Sequence, residues 1–396
     1  MDTHQPLAML AGLSPAQFMR RHWQKKPLLV RCAVAGFEQL LSRTELFKLA
    51  SCKEVESRLI VKTSKGWRMN SGPFAPRSLP PLRQADWTLL VQGVDGHHQA
   101  VHELLQQFRF VPDARLDDVM ISWASPGGGV GPHFDSYDVF LFQASGRRRW
   151  KISQQKDLTL QQDVPLKILQ NFSPQDEYLL EAGDMLYLPP RYAHEGIAEA
   201  SVGPDGKSQD CMTYSIGFKA PVAQELAAEL LHRLAEFTED ALEVASVDQS
   251  QTMYRDAAQA ATPKPAQLPV NLMAFAQKAI HNALKDPLAV GCALGEIMTS
   301  LKPQVWFEEL PCTPALQMSA SGVALDAKTR MMYDAHHIFI NGESYRAKGK
   351  DAVLMRVLAD RRRLSAEATR KASQDARDLL AAWQAAGWVY TTMELG

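Results

Sequence analysis

Two residues that commonly bind metal ions, His133 and Asp135, stand two positions apart after a glycine-rich approach, Gly127-Gly128-Gly129-Val130-Gly131-Pro132. In an extended strand, residues i and i+2 point to the same side, so the imidazole and the carboxylate can converge on one ion. His194 follows far downstream, beside the turn at 188–193. Two histidines and one carboxylate on one face of a metal leave the opposite positions open, which is the facial triad of non-haem Fe(II) oxygenases.

The His-x-Asp spacing alone is a weak signal, because a chain with 11 histidines should contain it by chance roughly half a time. His133 could instead be a core histidine whose ring nitrogens are hydrogen-bonded within the protein, and Gly127 to Gly129 could be only a flexible turn. These glycines do not form a phosphate loop, since no Gly-Lys-Ser/Thr follows them. The glycine-rich approach on a strand and the position of His194 after a turn favour the metal site.

An arginine near the same strands could bind a co-substrate. Arg148 lies thirteen residues beyond Asp135, within Gly146-Arg147-Arg148-Arg149-Trp150. The usual co-substrate of such an iron is 2-oxoglutarate, whose distal carboxylate needs a cation that an arginine fork supplies well. Strand alternation lets Arg148 point inward while its two neighbours point outward, but the sequence alone does not decide which of the three does so. Further hydroxyl contacts could come from Ser122, Thr213 and Ser215.

Short strands separated by turns dominate the first half of the chain and predict an α+β fold built on a sandwich or barrel, with a jelly roll favoured by the metal motif. Ser14-Pro15 predicts a short helix to about His22, and Ala100–Phe108 a second one. The predicted strands are Leu28–Val30, Ser57–Thr63, Trp67–Asn70, Trp87–Val94, Val119–Trp123, Val139–Phe142, Arg149–Ile152, Tyr178–Leu180, Met185–Leu188 and Met212–Phe218.

The pattern changes after Pro221. Apolar residues at helical spacing predict helices over 224–245, 272–284 and 287–301, with a polar linker over 246–269. A third part contains a hairpin around Asn341-Gly342, which suits a type I′ turn, then helices at 352–361 and 373–385 and a strand at 389–392. We therefore predict three domains: a barrel at 1–220, a helical region at 221–302 that could form a dimer, and a winged-helix-like domain at 303–396.

Composition excludes several classes of protein. The net charge is −1 at pH 7, which argues against a general polyanion binder, and we predict that direct nucleic-acid binding does not occur. The five cysteines are scattered without a CxxC pair, so neither a disulfide framework nor a structural zinc site is expected. The N-terminus has no secretory signal and no apolar run reaches the length of a membrane span, and we expect a cytoplasmic protein without membrane contact.

Three segments together resemble the JmjC-type ribosomal oxygenases, with the bacterial arginine-hydroxylating branch as the nearest match. They are Asp117–Ser122, Pro126–Phe140 and Gly146–Trp150. Further similarity lies in Arg21–Pro27 and in Gly183–Pro190. The similar motifs run from about Arg21 to Pro221, and the family's order of a JmjC barrel, a helical dimerisation region and a winged-helix-like domain extends the resemblance to the C-terminus.

The resemblance implies that His133, Asp135 and His194 hold Fe(II), that Arg148 binds 2-oxoglutarate with Ser122, Thr213 and Ser215 as weaker candidates, and that dioxygen is consumed. The implied reaction hydroxylates the β-carbon of an arginine in a large-subunit ribosomal protein. Tyr137 and Asp138 could steer the substrate guanidinium. One departure from the family is the longer connection at Ala198–Asp210, which puts the pairing of Thr213 and Ser215 with family positions in question.

Two other functions compete with arginine hydroxylation. Related ribosomal oxygenases modify histidine, so the substrate residue could be a histidine within the same fold. Alternatively, the barrel could be a cupin-like binding platform without enzymatic activity, with Arg361-Arg362-Arg363 as its most basic spot.

Overall fold

The computed structural model describes residues 2–34, 37–203, 206–244, 253–257, 260–261, 264, 266–285, 287–309, 322–346 and 348–392. The chain divides into two compact units, one formed by 1–220 with 303–306 and the other by 221–302 with 307–396. The first unit contains three α-helices: α1 (Pro15–Arg21), α2 (Arg43–Leu49) and α3 (Gln99–Gln106). Its strands are β1 (Leu28–Val30), β2 (Ser57–Thr63), β3 (Gly66–Ser71), β4 (Trp87–Val91), β5 (Leu116–Ala124), β6 (Asp138–Ser145), β7 (Arg147–Ser153), β8 (Asp176–Leu180), β9 (Met185–Leu188), β10 (Ala193–Glu199) and β11 (Cys211–Phe218).

Two antiparallel sheets form the barrel of the first unit. The large sheet has the strand order β1-β9-β6-β11-β5-β4-β2-β3, and the small sheet has the order β10-β7-β8. Apolar side chains from both sheets share one cluster in which Val139 and Leu141 of β6 meet Trp150 and Ile152 of β7. The sheets therefore pack face to face, as in the predicted jelly roll.

The opposite face of the large sheet carries a second and larger core. Phe18 of α1 and Phe108, just after α3, pack against Phe140 of β6 at ring-centroid distances of 5.4 and 5.0 Å. Alternate residues of one strand therefore serve two different interiors, because successive side chains point to opposite faces of a sheet. Residues of β6 at even positions face the helices, while Val139 and Leu141 face the barrel interior.

Local sequence signals explain where the first helices begin. Ser14 caps α1 and accepts from the backbone N–H of Gln17, whose side chain accepts in return from the N–H of Ser14. Ser42 and Glu45 form the same capping box at α2, a helix that we did not predict from the sequence. Strand β10 was also not predicted, and the strand predicted over Trp87–Val94 ends at Val91.

The second unit begins with α4 (Ala223–Val244), α5 (Val270–Ala283) and α6 (Pro287–Thr299). Its C-terminal segment comprises β12 (Gly322–Leu325), β13 (Met331–Tyr333), β14 (His337–Ile340), β15 (Glu343–Arg346), α7 (Gly349–Arg361), β16 (Arg363–Leu364), α8 (Ala366–Arg370), α9 (Gln374–Ala385) and β17 (Val389–Thr392). These strands form two small sheets, β16-β12-β17 and β13-β14-β15. The predicted β14–β15 hairpin turn is confirmed, since Asn341 and Gly342 both have positive φ angles, of 50° and 91°.

Helix α6 packs onto the β13–β15 sheet within this unit. A Cβ atom at Gly295 would lie 2.3 Å from the Phe339 ring of β14, so the glycine permits the close contact.

The three-domain division stays a prediction, because residues 221–302 and most of the C-terminal segment belong to one compact unit. The predicted linker at 246–269 lies largely outside the described residues. No helix in the described part of the chain combines the length and apolarity needed to cross a membrane.

Candidate metal and co-substrate site

The glycine-rich segment between β5 and β6 passes through a narrow space beside two strands. The N–H of Gly127 donates to the Ala198 carbonyl at 2.9 Å, and the N–H of Ala198 donates to the Gly128 carbonyl at 2.9 Å. A Cβ atom at Gly128 would lie 2.3 Å from the Trp87 oxygen, and one at Gly129 would lie 2.6 Å from the Gly196 oxygen. Glycine is required here by close backbone approach, so the segment is a packed connection and not merely a flexible turn.

Backbone pairing brings the two histidines together. The N–H of His133 donates to the His194 carbonyl at 2.9 Å, and the N–H of His194 donates to the His133 carbonyl at 2.7 Å. Their ring centroids lie 4.2 Å apart. An Asp135 carboxylate oxygen lies 3.6 Å from His194 Nε2, and the candidate ligand atoms of all three residues lie within 4.8 Å of one another. The predicted triad thus forms a cluster that one ion can bridge.

Hydrogen bonds to carbonyl oxygens determine which ring nitrogen of each histidine is available. His133 Nδ1 lies 2.9 Å from the Gly131 carbonyl oxygen, and His194 Nδ1 lies 2.8 Å from that of Tyr192. Since a carbonyl oxygen only accepts, each Nδ1 carries the proton and each Nε2 keeps its lone pair. This arrangement orients both imidazoles as metal ligands through Nε2.

The environment also keeps His194 neutral. Burial lowers the pKa of His194 to about 4, the neighbouring His133 adds to that effect, and the Asp135 carboxylate opposes it. A neutral imidazole at neutral pH does not have to lose a proton before it binds a metal ion. The donor set of two imidazole nitrogens and one carboxylate fits Fe(II) with open positions, as the facial triad requires.

Of the three consecutive arginines, only Arg148 is buried. Arg149 forms ion pairs with Glu177 and Glu199, both at 2.5 Å, and its side chain is 36% exposed. The Arg147 side chain is 40% exposed and lies 3.9 Å from Glu181. Arg148 is only 4% exposed, and it pairs with no carboxylate in the part of the chain that the structure describes. Arg148 is therefore the arginine of the three that points into the barrel.

The guanidinium of Arg148 has few partners of its own. One Nη lies 3.5 Å from the Ser122 hydroxyl, and the group lies 5.8 Å from the centre of the Trp150 ring. Among the described residues, none provides a hydrogen-bond acceptor for Nε. A buried cation without an anion is unfavourable by several kcal/mol. A dicarboxylate that enters the barrel would supply the missing negative charge, so the site fits the distal carboxylate of 2-oxoglutarate.

The predicted hydroxyl contacts differ in what they can offer a ligand. Thr213 donates its hydroxyl proton to Gln143 Oε1 at 2.9 Å, while the Gln143 amide nitrogen donates to the Ser145 carbonyl at 2.7 Å. The Ser122 hydroxyl donates to the Thr213 carbonyl over a long distance of 3.4 Å and accepts from Arg148 at 3.5 Å, so both contacts are weak and the hydroxyl can turn toward a ligand. Ser215 lies two residues from Thr213 on β11 and is partly exposed on the same face. Gln143, fully buried, was not identified from the sequence.

Tyr137 directly precedes β6 and packs beside the apolar cluster shared by the two sheets. Burial raises the pKa of its hydroxyl strongly, and the nearby carboxylates of Asp135, Asp118 and Asp117 raise it further. Asp118 of β5 is buried, and its carboxylate accepts from the Gln92 side-chain amide at 3.1 Å. The interior next to the metal ligands is therefore acidic and aromatic. Asp118 was not among the candidates taken from the sequence.

Asp138 does not join this site, which corrects our prediction for it. Its carboxylate is fully buried, accepts from the Tyr187 hydroxyl at 2.6 Å and pairs with Arg115 at 3.1 Å. Gln24 donates to the same carboxylate at 3.1 Å. Asp138 follows Tyr137 directly, and strand alternation turns it to the helix-covered face of the large sheet. It anchors the start of β6 on the helix-covered face of the sheet.

Comparisons with known proteins identify both parts of the chain. Residues 103–226 match the JmjC domain, and residues 282–390 match the ROXA-like winged helix. Over 212 residues the chain is 41% identical to the Ribosomal protein uL16 3-hydroxylase of Escherichia coli strain K12, an alignment that covers 53% of each protein. It is 32% identical over 214 residues to the Probable ribosomal oxygenase of Haemophilus influenzae, covering 53% of this chain and 50% of that protein. The chain thus spans about half the length of the curated relatives it matches.

Solved structures extend the similarity to almost the whole fold. An X-ray structure of E. coli YcfD superposes with a TM-score of 0.81 at 28% identity and covers 95% of this chain and 98% of that one. The structure of YcfD, a ribosomal oxygenase, in complex with cobalt and 2-oxoglutarate superposes with a TM-score of 0.79 at 28% identity. That superposition covers 96% of this chain and 98% of the YcfD chain. Both domain models match in this order, and a solved ribosomal oxygenase shares the fold along nearly its whole length, so the chain is a JmjC-domain protein with the architecture of the ribosomal oxygenases.

Proposed function

We propose that this protein is an Fe(II)- and 2-oxoglutarate-dependent dioxygenase that hydroxylates the β-carbon of an arginine in a large-subunit ribosomal protein of the uL16 type. One observation supports it most directly. Two oriented histidines and a carboxylate converge on one point, and a buried, unpaired arginine lies in the same barrel. In a purely structural role, a buried guanidinium without a counter-ion would only lower stability.

Each residue of the site has a defined task in this reaction. His133, Asp135 and His194 would hold Fe(II), which with 2-oxoglutarate and dioxygen supplies the oxidising power to insert one oxygen atom into a C–H bond while the keto acid becomes succinate and carbon dioxide. Arg148 would bind the distal carboxylate through paired charge-assisted hydrogen bonds. The Ser122 hydroxyl could add a donor there, and Thr213 and Ser215 are secondary candidates because Thr213 already donates to Gln143.

The acidic and aromatic interior favours a cationic substrate side chain. Tyr137 lies beside Asp135 and Asp118, whose charges oppose ionisation of its hydroxyl. A guanidinium that enters this space would gain favourable electrostatic energy from the carboxylates and could stack on the tyrosine ring. A neutral imidazole would gain less. The relative named uL16 3-hydroxylase is 41% identical, whereas a Drosophila persimilis relative named for lysine demethylation and histidyl hydroxylation is 24% identical over 200 residues, which also favours arginine.

The experiment that tests this function combines metal binding with product analysis. Purified protein is titrated anaerobically with Fe(II), and turnover of 2-oxoglutarate is followed with peptides from large-subunit ribosomal proteins. We expect His133→Ala to remain folded and to lose coupled succinate formation, while His336→Ala, a histidine of the C-terminal unit, keeps it. Normal turnover by His133→Ala would refute the metal site.

Mass spectrometry of ribosomal proteins from cells with and without the gene identifies the modified residue. We expect the mass of one added oxygen atom on an arginine of a uL16-type protein. The same gain on a histidine, with none on arginine, would make the protein a histidyl hydroxylase. A protein that binds neither iron nor 2-oxoglutarate would be a cupin-like binding module without activity.

We also propose that the helical region forms a homodimer in the cytoplasm. Apolar side chains on α4 and α5 are exposed in the single chain: Leu231 is 56% exposed, Val270 78%, Met273 51% and Ile280 61%. An amphipathic face of this kind is usually covered by a partner, and a second copy presents a matching face by symmetry. Light scattering after size exclusion tests this, with Ile280→Lys expected to give monomers. A monomeric wild-type protein would refute it.

A further inference from the structure

A pair of residues on the small sheet, Trp150 of β7 and Gly196 of β10, lies between the two halves of the proposed site. In the antiparallel register, Arg148 faces Ala198, Trp150 faces Gly196 and Ile152 faces His194. These three pairs stand at every second position of the strands, so they share the inward face of the sheet. Any molecule that reaches from the metal-binding histidine to the Arg148 guanidinium must pass over the Trp150–Gly196 pair.

The indole ring of Trp150 lies close to both ends of that path. Its centroid is 5.8 Å from the His194 ring centroid and 5.8 Å from the guanidinium carbon of Arg148. Gly196 makes this position possible, because a Cβ atom there would lie 2.6 Å from Cζ3 and from Cη2 of the indole. A glycine inside a strand is unfavourable unless close packing requires it. The benzene edge of the ring therefore rests on the backbone of β10.

The opposite edge of the indole carries the N–H group, which consequently points away from β10. Trp150 is only 5% exposed, and its Nε1 has no hydrogen-bond acceptor in the described part of the chain. A buried donor without an acceptor lowers stability by the full desolvation penalty of the group. The cost is removed if a ligand in the barrel provides the acceptor.

We propose that Trp150 is a co-substrate-binding residue whose indole N–H donates to a carboxylate oxygen of a bound dicarboxylate keto acid. This inference rests on the proposed function and adds a residue to it. The keto acid then lies against the ring, with Arg148 at one end and the metal ligands at the other. Gly196 acts as a positioning residue, because any side chain there would push the ring off β10.

Calorimetry with matched tryptophan variants tests this contact without turnover. The protein is loaded with Mn(II), and 2-oxoglutarate is titrated in the absence of oxygen. Trp150→Phe keeps an aromatic ring but removes the N–H, and losing a hydrogen bond to a charged group should raise the Kd at least about tenfold. Trp87→Phe is the matched control, because Trp87 is likewise buried, its Nε1 has no acceptor among the described residues, and it packs against Trp123 in the other core.

We expect Trp87→Phe to stay within about twofold of the wild-type Kd, since it lies outside the path. Trp150→His supplies a ring N–H and should recover part of the affinity. A wild-type Kd for Trp150→Phe, or an equal loss in Trp87→Phe, would overturn the proposal.

A second measurement uses the wild-type protein and does not depend on how a variant folds. The chain has eight tryptophans, and nitrogen-15 spectra of the Zn(II)-loaded protein resolve their indole N–H signals. Saturation with 2-oxoglutarate should move the Trp150 signal downfield and leave the Trp87 signal in place. An unmoved Trp150 signal at saturation would overturn the contact. Failure of the wild-type protein to bind 2-oxoglutarate at all would instead refute the proposed function.

Discussion

Arg148→Met separates a ligand-binding role from a structural one, because the two roles predict opposite effects on stability. Methionine keeps much of the length and apolar surface of the arginine stem but carries no charge. In the protein without ligand, Arg148 is a 4% exposed cation with a long contact to Ser122 and the Trp150 ring nearby, and no carboxylate of the described residues pairs with it. Removing an uncompensated buried charge should raise the free energy of unfolding, by about 1–3 kcal/mol.

The same substitution should nearly abolish binding of 2-oxoglutarate. A bidentate contact to a carboxylate comprises two charge-assisted hydrogen bonds, each worth about 1.5–3 kcal/mol, so the affinity should fall at least 100-fold, by about 3 kcal/mol or more. Urea unfolding of the metal-free protein measures the first effect. Calorimetric titration of the Mn(II)-loaded protein measures the second.

Arg149→Met is the matched control on the next residue of the same strand. Arg149 is partly exposed and pairs with Glu177 and Glu199, so its loss should lower the unfolding free energy by less than about 1 kcal/mol and leave ligand binding unchanged. If Arg148→Met is destabilised while it still binds 2-oxoglutarate like the wild type, Arg148 is a structural residue and the reasoning from its missing counter-ion fails.

Three further predictions follow from other contacts. Gly131→Ala and Gly12→Ala should each lower the free energy of unfolding by about 1–2 kcal/mol, because both glycines have positive φ angles, of 77° and 76°. Only Gly131→Ala should also weaken Co(II) binding, which is measured by absorption. Its Cβ atom would press on Ile168 and Trp67, and the Gly131 carbonyl orients His133. Asp138→Asn should lower the unfolding free energy by about 3 kcal/mol without raising the KM for substrate, whereas a raised KM at unchanged stability would restore Asp138 as a substrate contact. Burial and the Asp138 hydrogen bond raise the pKa of Tyr187 above its ordinary value of 10.0, so above that pH the folded state keeps a proton that the unfolded state releases. The free energy of unfolding should therefore fall as the pH rises above 10.0. Unfolding followed across that range should show a smaller loss in Tyr187→Phe.

Several features followed from local sequence because the physics behind them is local. The i, i+2 spacing placed His133 and Asp135 on one side of a strand, and with the glycine-rich approach and His194 it predicted a metal site. Asn341-Gly342 predicted a type I′ turn by itself, because that turn depends on the backbone of a few residues. Most strands and helices of the first unit followed from short-range patterns in the same way, although α2 and β10 did not. Recognising the motifs around Pro126–Phe140 then indicated the family.

Tertiary structure decided what depends on partners distant in sequence. Strand β10 has little β propensity in Ala193–Glu199 and becomes a strand because it pairs with β7. Asp138 looked like a neighbour of the metal site, but the pleat sends its side chain to Tyr187 and Arg115. A local pattern states only that neighbouring residues face opposite ways. Which face becomes the interior of the barrel, and therefore which of three adjacent arginines is left without a counter-ion, depends on how the two sheets pack.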